Sequence, residues 1–240
     1  MTRRRWIADE VSGDRAALVG SHAEHLSRVL RARIGQEFEL ITQGEVRQGR
    51  VIAVSDARVD FELGEAVRAG AVSPVTLVIS IFKFDRMEWA IEKCTELGVA
   101  KIVPVVAQRT EKHLAAAAGK RVERWQRIAR QASEQSRRAA APEITKPLKL
   151  NEALALPGDQ RIVLSEAEPV RILKDVLVQG RDLVMAFGPE GGWTEPELER
   201  FAQADWSSAS LGSTILRAET AAIAATAVAA SLLSGPRAAL

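Results

Sequence analysis

The chain has 240 residues, 47% hydrophobic and 27% charged, with a net charge of +2. That length fits one large domain or a small one joined to a medium one, and the charge balance excludes a global polyanion-binding surface, so any nucleic-acid face must be local. A single cysteine, Cys94, excludes an internal disulfide and a cysteine-rich zinc site, and His22, His25 and His113 lack metal-ligand spacing.

The N-terminal MTRRRWIADE has no apolar leader core, and the longest uncharged helical run, residues 220–233, is too short to span a bilayer. A cytoplasmic protein without membrane contact is expected. Residues 1–72 read as a β-rich domain. Strand-like runs occupy residues 38–41, 50–54 and 58–63, with one helix expected over residues 22–32. Residues 67–74, VRAGAVSP, read as a linker.

The texture changes at Val75, and residues 73–240 read as a second domain. Apolar runs at residues 75–82, 102–107, 161–164 and 183–187 alternate with helical patterns. That alternation predicts an α/β domain with a mostly parallel sheet buried on both faces. In the first helix Met87, Ala90, Ile91, Cys94 and Leu97 share a face, which makes Cys94 a core residue, while Trp89 lies opposite beside Glu92 and Glu96. A second helix over residues 120–138 buries Val122, Trp125, Ile128, Ala129 and Ala132. It carries seven basic residues against Glu123 and Glu134, making it the best local candidate for phosphate contact, with a solvated face as the alternative. A third helix, residues 218–233, is apolar nearly all round and is expected to be buried, in the core or against another subunit.

Two glycine-bearing loops stand before helices near the C-terminus: Gly188-Pro189-Glu190-Gly191-Gly192 and Leu211-Gly212-Ser213-Thr214-Ile215-Leu216. Glycine lets a ligand approach the backbone, so the pair predicts one pocket built from two loops. Thr194 and Glu197 form a capping-box pattern that starts the helix after the first loop. The first loop lacks the Lys-Ser/Thr of a P-loop, Glu190 would repel phosphate, and no G-x-G-x-x-G follows any strand. A cationic or neutral ligand suits it better. Arg217 begins a helix, where the macrodipole disfavours a cation, so either it serves an anionic or oxygen-rich substrate or it swings out to solvent or to an acid of another loop. Glu219, in the first turn, obeys the same dipole rule.

GPEGGWTEPELE and LGSTILRAETA together resemble the signature of the SPOUT RNA methyltransferases, and within them the ribosomal RNA small subunit methyltransferase E family. EKCTELG at residues 92–98, Arg109 after the next strand, Trp125 with EQSRR at residues 134–138, and the segment from His25 to Arg31 are similar to further motifs of that family, in order along essentially the whole chain. Two departures concern Ser213 and Thr214, where the family often has a basic residue, and Gln108, where a Glu is common.

The resemblance implies an N-terminal PUA-like β-barrel, a C-terminal domain with a trefoil knot, a homodimer, and S-adenosylmethionine as methyl donor with no metal. It implies methylation of uridine 1498 at N3 in 16S rRNA, on the 30S subunit. By carry-over, Leu164, Ser165, Phe187, Gly188, Pro189, Glu190, Gly191, Leu211, Gly212, Thr214, Ile215 and Leu216 hold the donor. Arg217 and Glu219 serve catalysis, and Arg3, Arg4, Arg28, Arg31, Arg109, Arg124 and Arg138 meet RNA, with Arg5 and Arg33 as further candidates on the barrel. The alternatives are ribose 2′-O-methylation by another SPOUT enzyme, or a non-catalytic RNA-binding assembly protein.

Overall fold

A computed structural model of the chain describes residues 5–42, 45–67, 75–136, 138 and 140–233. It divides into two units, Met1–Ala71 with Arg130–Ala141, and Val72–Ala129 with Pro142–Leu240. The linker expected over residues 67–74 lies outside the described residues except for Val67, which ends a strand.

The first unit is a six-stranded sheet. Its strands are β1 (Trp6–Ile7), β2 (Glu10–Ser12), β3 (Arg15–Val19), β4 (Glu37–Thr42), β5 (Glu45–Val54) and β6 (Arg58–Val67), in the spatial order β1-β4-β5-β6-β3-β2. All pairs are antiparallel except β1 with β4. Register shifts interrupt the β5–β6 ladder at Arg47/Gly49 and Val51/Ala53, and such bulges bend and twist the strand that carries them. Trp6, Leu18, Leu26, Leu40 and Phe61 are buried beneath the sheet. The helix expected over residues 22–32 is shorter: α1 (Ser21–Glu24) runs into a π-helical turn, His25–Val29.

A part-buried polar cluster ties Arg130–Ala141 to this sheet. Arg130 Nη2 donates to Asp9 Oδ1 at 2.7 Å and to the Ile7 carbonyl at 3.0 Å, while His22 lies 3.2 Å from Asp9 Oδ2 and 3.4 Å from Glu134 Oε1. Glu134 is fully buried, with His22 and Arg130 as its basic neighbours.

In the second unit every strand pairs in parallel. The strands are β7 (Val75–Ser80), β8 (Lys101–Val106), β9 (Glu143–Ile144), β10 (Leu148–Lys149), β11 (Gln160–Leu164), β12 (Leu183–Phe187) and β13 (Ser207–Ala209). They order as β10-β8-β7-β12-β11-β13, with β9 beside β8. The four apolar runs of the sequence supply β7, β8, β11 and β12. Side chains alternate across a strand. Leu77, Ile79, Ile162, Leu183, Met185 and Phe187 join one buried cluster, and Val78, Val103, Val163, Val184 and Ala186 join the other.

Helices cover both faces. They are α2 (Phe84–Glu96), α3 (Lys112–Ala118), α4 (Val122–Gln135), α5 (Leu150–Leu154), α6 (Leu173–Val176), α7 (Glu195–Gln203) and α8 (Ala218–Leu233). The first cluster takes in Met87, Ile91 and Cys94 of α2, Trp125 of α4 and Ala222, Ala225 and Ala229 of α8. In the second, Phe201 packs edge-on between Trp193 and Trp206 at ring separations of 4.8 and 5.1 Å. Side chains of that kind stabilise a core by about 3–5 kcal/mol each.

Cys94 is the core residue expected. Burial pushes its thiol up to about 12, and Thr226 of α8 lies 3.6 Å from its sulfur. The alanines of α8 permit close approach to α2, so the apolar helix buries one face within its own unit. Trp89, on the polar face of α2, is 49% exposed. Among the described residues no helix is long and apolar enough to cross a membrane.

Candidate active site

Strands β11, β12 and β13 run parallel and end together, and their C-terminal ends open into a cleft. In open α/β sheets this is where ligands bind. The cleft encloses about 680 Å³, part of it open to solvent. Leu164, Ser165 and Glu166 come from the end of β11, Phe187, Gly188, Pro189 and Glu190 from the end of β12, and Ser210, Leu211, Gly212, Thr214, Ile215 and Leu216 from the end of β13. Every residue expected to hold the donor therefore lines it except Gly191. Gly192, Trp193, Ala218 and Ala221 also contribute. Glu166 and Glu190 are the charged residues of the lining, and no Lys or Arg joins them.

Each wall has a local cause. Ser165 N–H donates to the Ala209 carbonyl at 2.9 Å, which extends the β11–β13 pairing by one residue. Ser165 Oγ accepts the Ala167 N–H at 3.2 Å, and Glu168 accepts the N–H groups of Val170 and Arg171 at 3.1 Å each. Those backbone bonds, Arg171's first, hold the Glu168 carboxyl below its ordinary range. The Gly192 N–H closes a turn onto the Pro189 carbonyl at 2.8 Å, and Thr194 with Glu197 forms the expected capping box at the start of α7. Glu190 Oε1 accepts the Lys83 N–H at 3.4 Å, just before α2.

The glycines of the first loop have a reason that the sequence did not disclose. A Cβ at Gly192 would lie 2.8 Å from Glu166 Oε1, and Gly192 has φ +68°. One at Gly191 would lie 3.2 Å from Arg109 Cδ, and one at Gly188 would lie 3.1 Å from the Trp193 nitrogen. Backbone presses on the missing side chain at Gly188, and the movable side chains of Arg109 and Glu166 stand against those at Gly191 and Gly192, so the glycines serve close loop packing as well as ligand approach. Gly212 differs: φ is +118° and nothing lies within 4 Å of its would-be Cβ.

Arg217 and Glu219 sit at the start of α8 but face different ways. The Arg217 carbonyl accepts the Ala221 N–H at 2.8 Å, and its side chain is exposed and outside the cleft lining. Glu219 is 3% exposed and lies 3.7 Å from Arg86 Nη1 of α2. Glu219 thus meets α2 at the seam that continues through Thr226 and Cys94. Arg86 was not foreseen. It occupies the polar start of an amphipathic helix, and no sequence spacing connects residue 86 to residue 219.

The expected RNA contacts fall in both units. Arg3 and Arg4 lie outside the described residues. Arg28 is exposed beside Asp56 at 3.0 Å, and Arg31, also exposed, adopts φ +51°. Arg5 pairs with Glu39, and Arg33 is exposed. Arg124 makes a two-pronged ion pair with Glu88 at 2.6 and 2.7 Å. Arg138 follows α4 rather than belonging to it and is half-buried, and desolvation pushes its guanidinium down to about 10, which still leaves a cation at neutral pH. Arg109 reaches the carbonyls of Gly191 and Trp193.

Comparison with known proteins matches residues 70–230 to an RNA methyltransferase domain family. The chain is 31% identical over 218 residues to ribosomal RNA small subunit methyltransferase E of Bacillus subtilis, covering 85% of each chain. It is 33% identical to the protein of that name from Synechocystis, covering 85% of this chain and 69% of the relative. Its fold superimposes with a TM-score of 0.85 on the Neisseria gonorrhoeae ribosomal RNA small subunit methyltransferase E bound to S-adenosyl methionine, 30% identical, with 96% and 98% of the two chains covered. A Legionella pneumophila putative methyltransferase in complex with bound SAM gives the same TM-score at 27% identity, with 97% and 98% covered. The chain belongs to the ribosomal RNA small subunit methyltransferase E family.

Proposed function

We propose that the chain methylates small-subunit ribosomal RNA with S-adenosylmethionine as donor, at N3 of uridine 1498 of 16S rRNA. The observation that carries this reading is the charge of the cleft. Two carboxylates, Glu166 and Glu190, and no cation line a space otherwise walled by backbone, apolar side chains and the hydroxyls of Ser165, Ser210 and Thr214. Such a site rejects phosphates and dinucleotides and accepts a ligand with a sulfonium and an ammonium group. When bound, that donor supplies an activated methyl group on a positively charged sulfur.

The protein's own part is positioning and electrostatics. Backbone N–H and C=O groups of the three loops take the adenine and ribose edges, and Phe187, Leu211 and Ile215 exclude water. Uracil N3 lies on the pairing edge, so the base must be unpaired or flipped to reach the cleft. Arg217, exposed at its rim, stabilises the deprotonated ring through O2 or O4. Glu219 orients the start of α8 or takes the N3 proton. Buried and beside Arg86, it is better placed for the first role.

The proposal extends to a trefoil knot in the domain of residues 73–240, a PUA-like barrel in residues 1–72, a homodimer and a cytoplasmic location. The barrel supplies RNA contacts through Arg3, Arg4, Arg28 and Arg31, and Arg124 and Arg138 add phosphate contacts. Arg217→Ala is expected to bind S-adenosylhomocysteine by calorimetry as the wild type does, and to lose at least about a hundredfold in methyl transfer to 30S subunits. Transfer near the normal rate would remove Arg217 from catalysis. Mass spectrometry of rRNA nucleosides from cells with and without the gene separates methylation at uracil N3, at a ribose, or nowhere.

A further inference from the structure

Consecutive residues leaving β8 are tied to the loop that follows β12. Ala107 and Thr110 close their turn on themselves: Thr110 N–H donates to the Ala107 carbonyl and Ala107 N–H to Thr110 Oγ1, each at 3.1 Å. From this fixed turn Gln108 N–H donates to Glu197 Oε1 at 2.7 Å, and its side-chain carbonyl accepts the Thr194 hydroxyl at 2.9 Å. Arg109 Nη1 donates to the carbonyls of Gly191 and Trp193, the second at 3.4 Å. Gly191 is the one residue of this loop that does not line the cleft. Arg109 therefore grips the loop from outside the ligand space.

We propose that Arg109 is a positioning residue for the donor-binding loop and not an RNA contact. A guanidinium bond to a carbonyl is charge-assisted and stronger than a neutral one. Placed on Gly191, it holds the Pro189–Glu190 turn in its binding shape before the ligand arrives, which lowers the ordering cost of binding. The fit is close, because Gly191 leaves its missing side chain only 3.2 Å from Arg109 Cδ. The proposal rests on the methyl-donor reading of the cleft.

The test uses the full chain and two variants that loosen the clamp from opposite sides. Arg109→Gln removes the cation. Gly191→Ala keeps it but inserts a Cβ against it, at a position outside the positive-φ glycines, so the backbone tolerates alanine. Both should raise the dissociation constant for S-adenosylhomocysteine by calorimetry, and the KM for the donor, by about tenfold. kcat at saturating donor should stay within about threefold, and Arg109→Lys should recover part of the affinity. The salt dependence of binding to 30S subunits should not change, since no phosphate contact is lost.

Unaltered donor affinity in Arg109→Gln, with a salt slope smaller by about one, would make Arg109 an RNA contact and overturn the proposal. A lowered melting temperature with unaltered affinity would reduce the clamp to a fold contact and also overturn it. Wild-type protein that does not bind S-adenosylhomocysteine would overturn the donor-site reading, and this proposal with it.

Discussion

The loops at residues 188–193 and 211–216 both contribute to the same cleft, yet the first loop is held by its own protein and the second by little beyond its ends. Arg109 grips the first from one side and Glu166 fills the space beside Gly192 on the other. The capping box of Thr194 and Glu197 anchors its exit. In the second loop Gly212, Ser213, Thr214 and Ile215 are all exposed, and Ile215 is 83% so. One wall is tied to the surrounding protein, and the other leaves its apolar side chain exposed. A site built that way gains selectivity from the fixed wall and closure from the free one.

The largest effect that would break this contrast concerns Glu197. Its carboxylate accepts the Gln108 N–H at 2.7 Å and the Thr194 N–H at 2.9 Å while only 3% exposed. Glu197→Ala leaves both donors without an acceptor, at a cost of about 2–4 kcal/mol. For a chain of this size the melting temperature should drop by roughly 5–15 °C. A melt within a degree of wild type would mean that the first wall does not depend on its cap.

Much of this wall was legible in the sequence, and the rest was not, for a physical reason. The capping box reads from two residues three apart. Strands β7, β8, β11 and β12 read from apolar runs, because a sheet covered on both faces needs them. The short β9, β10 and β13 bury few side chains and left no such run. Arg109 and Gly191 are 82 residues apart, and Arg86 and Glu219 are joined only by the packing of α2 on α8. Local periodicity carries no trace of such pairs. Arg130–Ala141 groups with the first unit for a like reason, since Arg130 meets Asp9 across 121 residues of chain. The glycines were visible, but what presses on them was not.

A pair of glycine substitutions of intermediate size sharpens the contrast. Gly192→Ala meets both an unfavourable φ of +68° and Glu166 Oε1 at 2.8 Å, whereas Gly212→Ala meets only its φ of +118°. The first should cost about 1–2 kcal/mol from the backbone alone, and the second, whose φ lies beyond the left-handed helical region, about 1–3 kcal/mol. Adding Glu166→Ala should recover the steric part of the first and none of the second, as read by denaturant midpoints. Equal response of both glycines to Glu166→Ala would mean that the two loops are held alike.

The smallest effect on stability carries the sharpest statement about the free wall. Ile215 makes little use of the fold while exposed, so Ile215→Ala should alter stability by no more than about 0.5 kcal/mol. Burying an isoleucine side chain is worth about 1.5–3 kcal/mol, and part of that should appear when the loop closes on a ligand. The dissociation constant for S-adenosylhomocysteine should therefore rise about five- to tenfold with the melting temperature unchanged. If calorimetry finds no change in affinity, residues 211–216 do not close on the donor through Ile215. The exposed isoleucine would then have to be read as a surface for RNA or for a second copy of the chain.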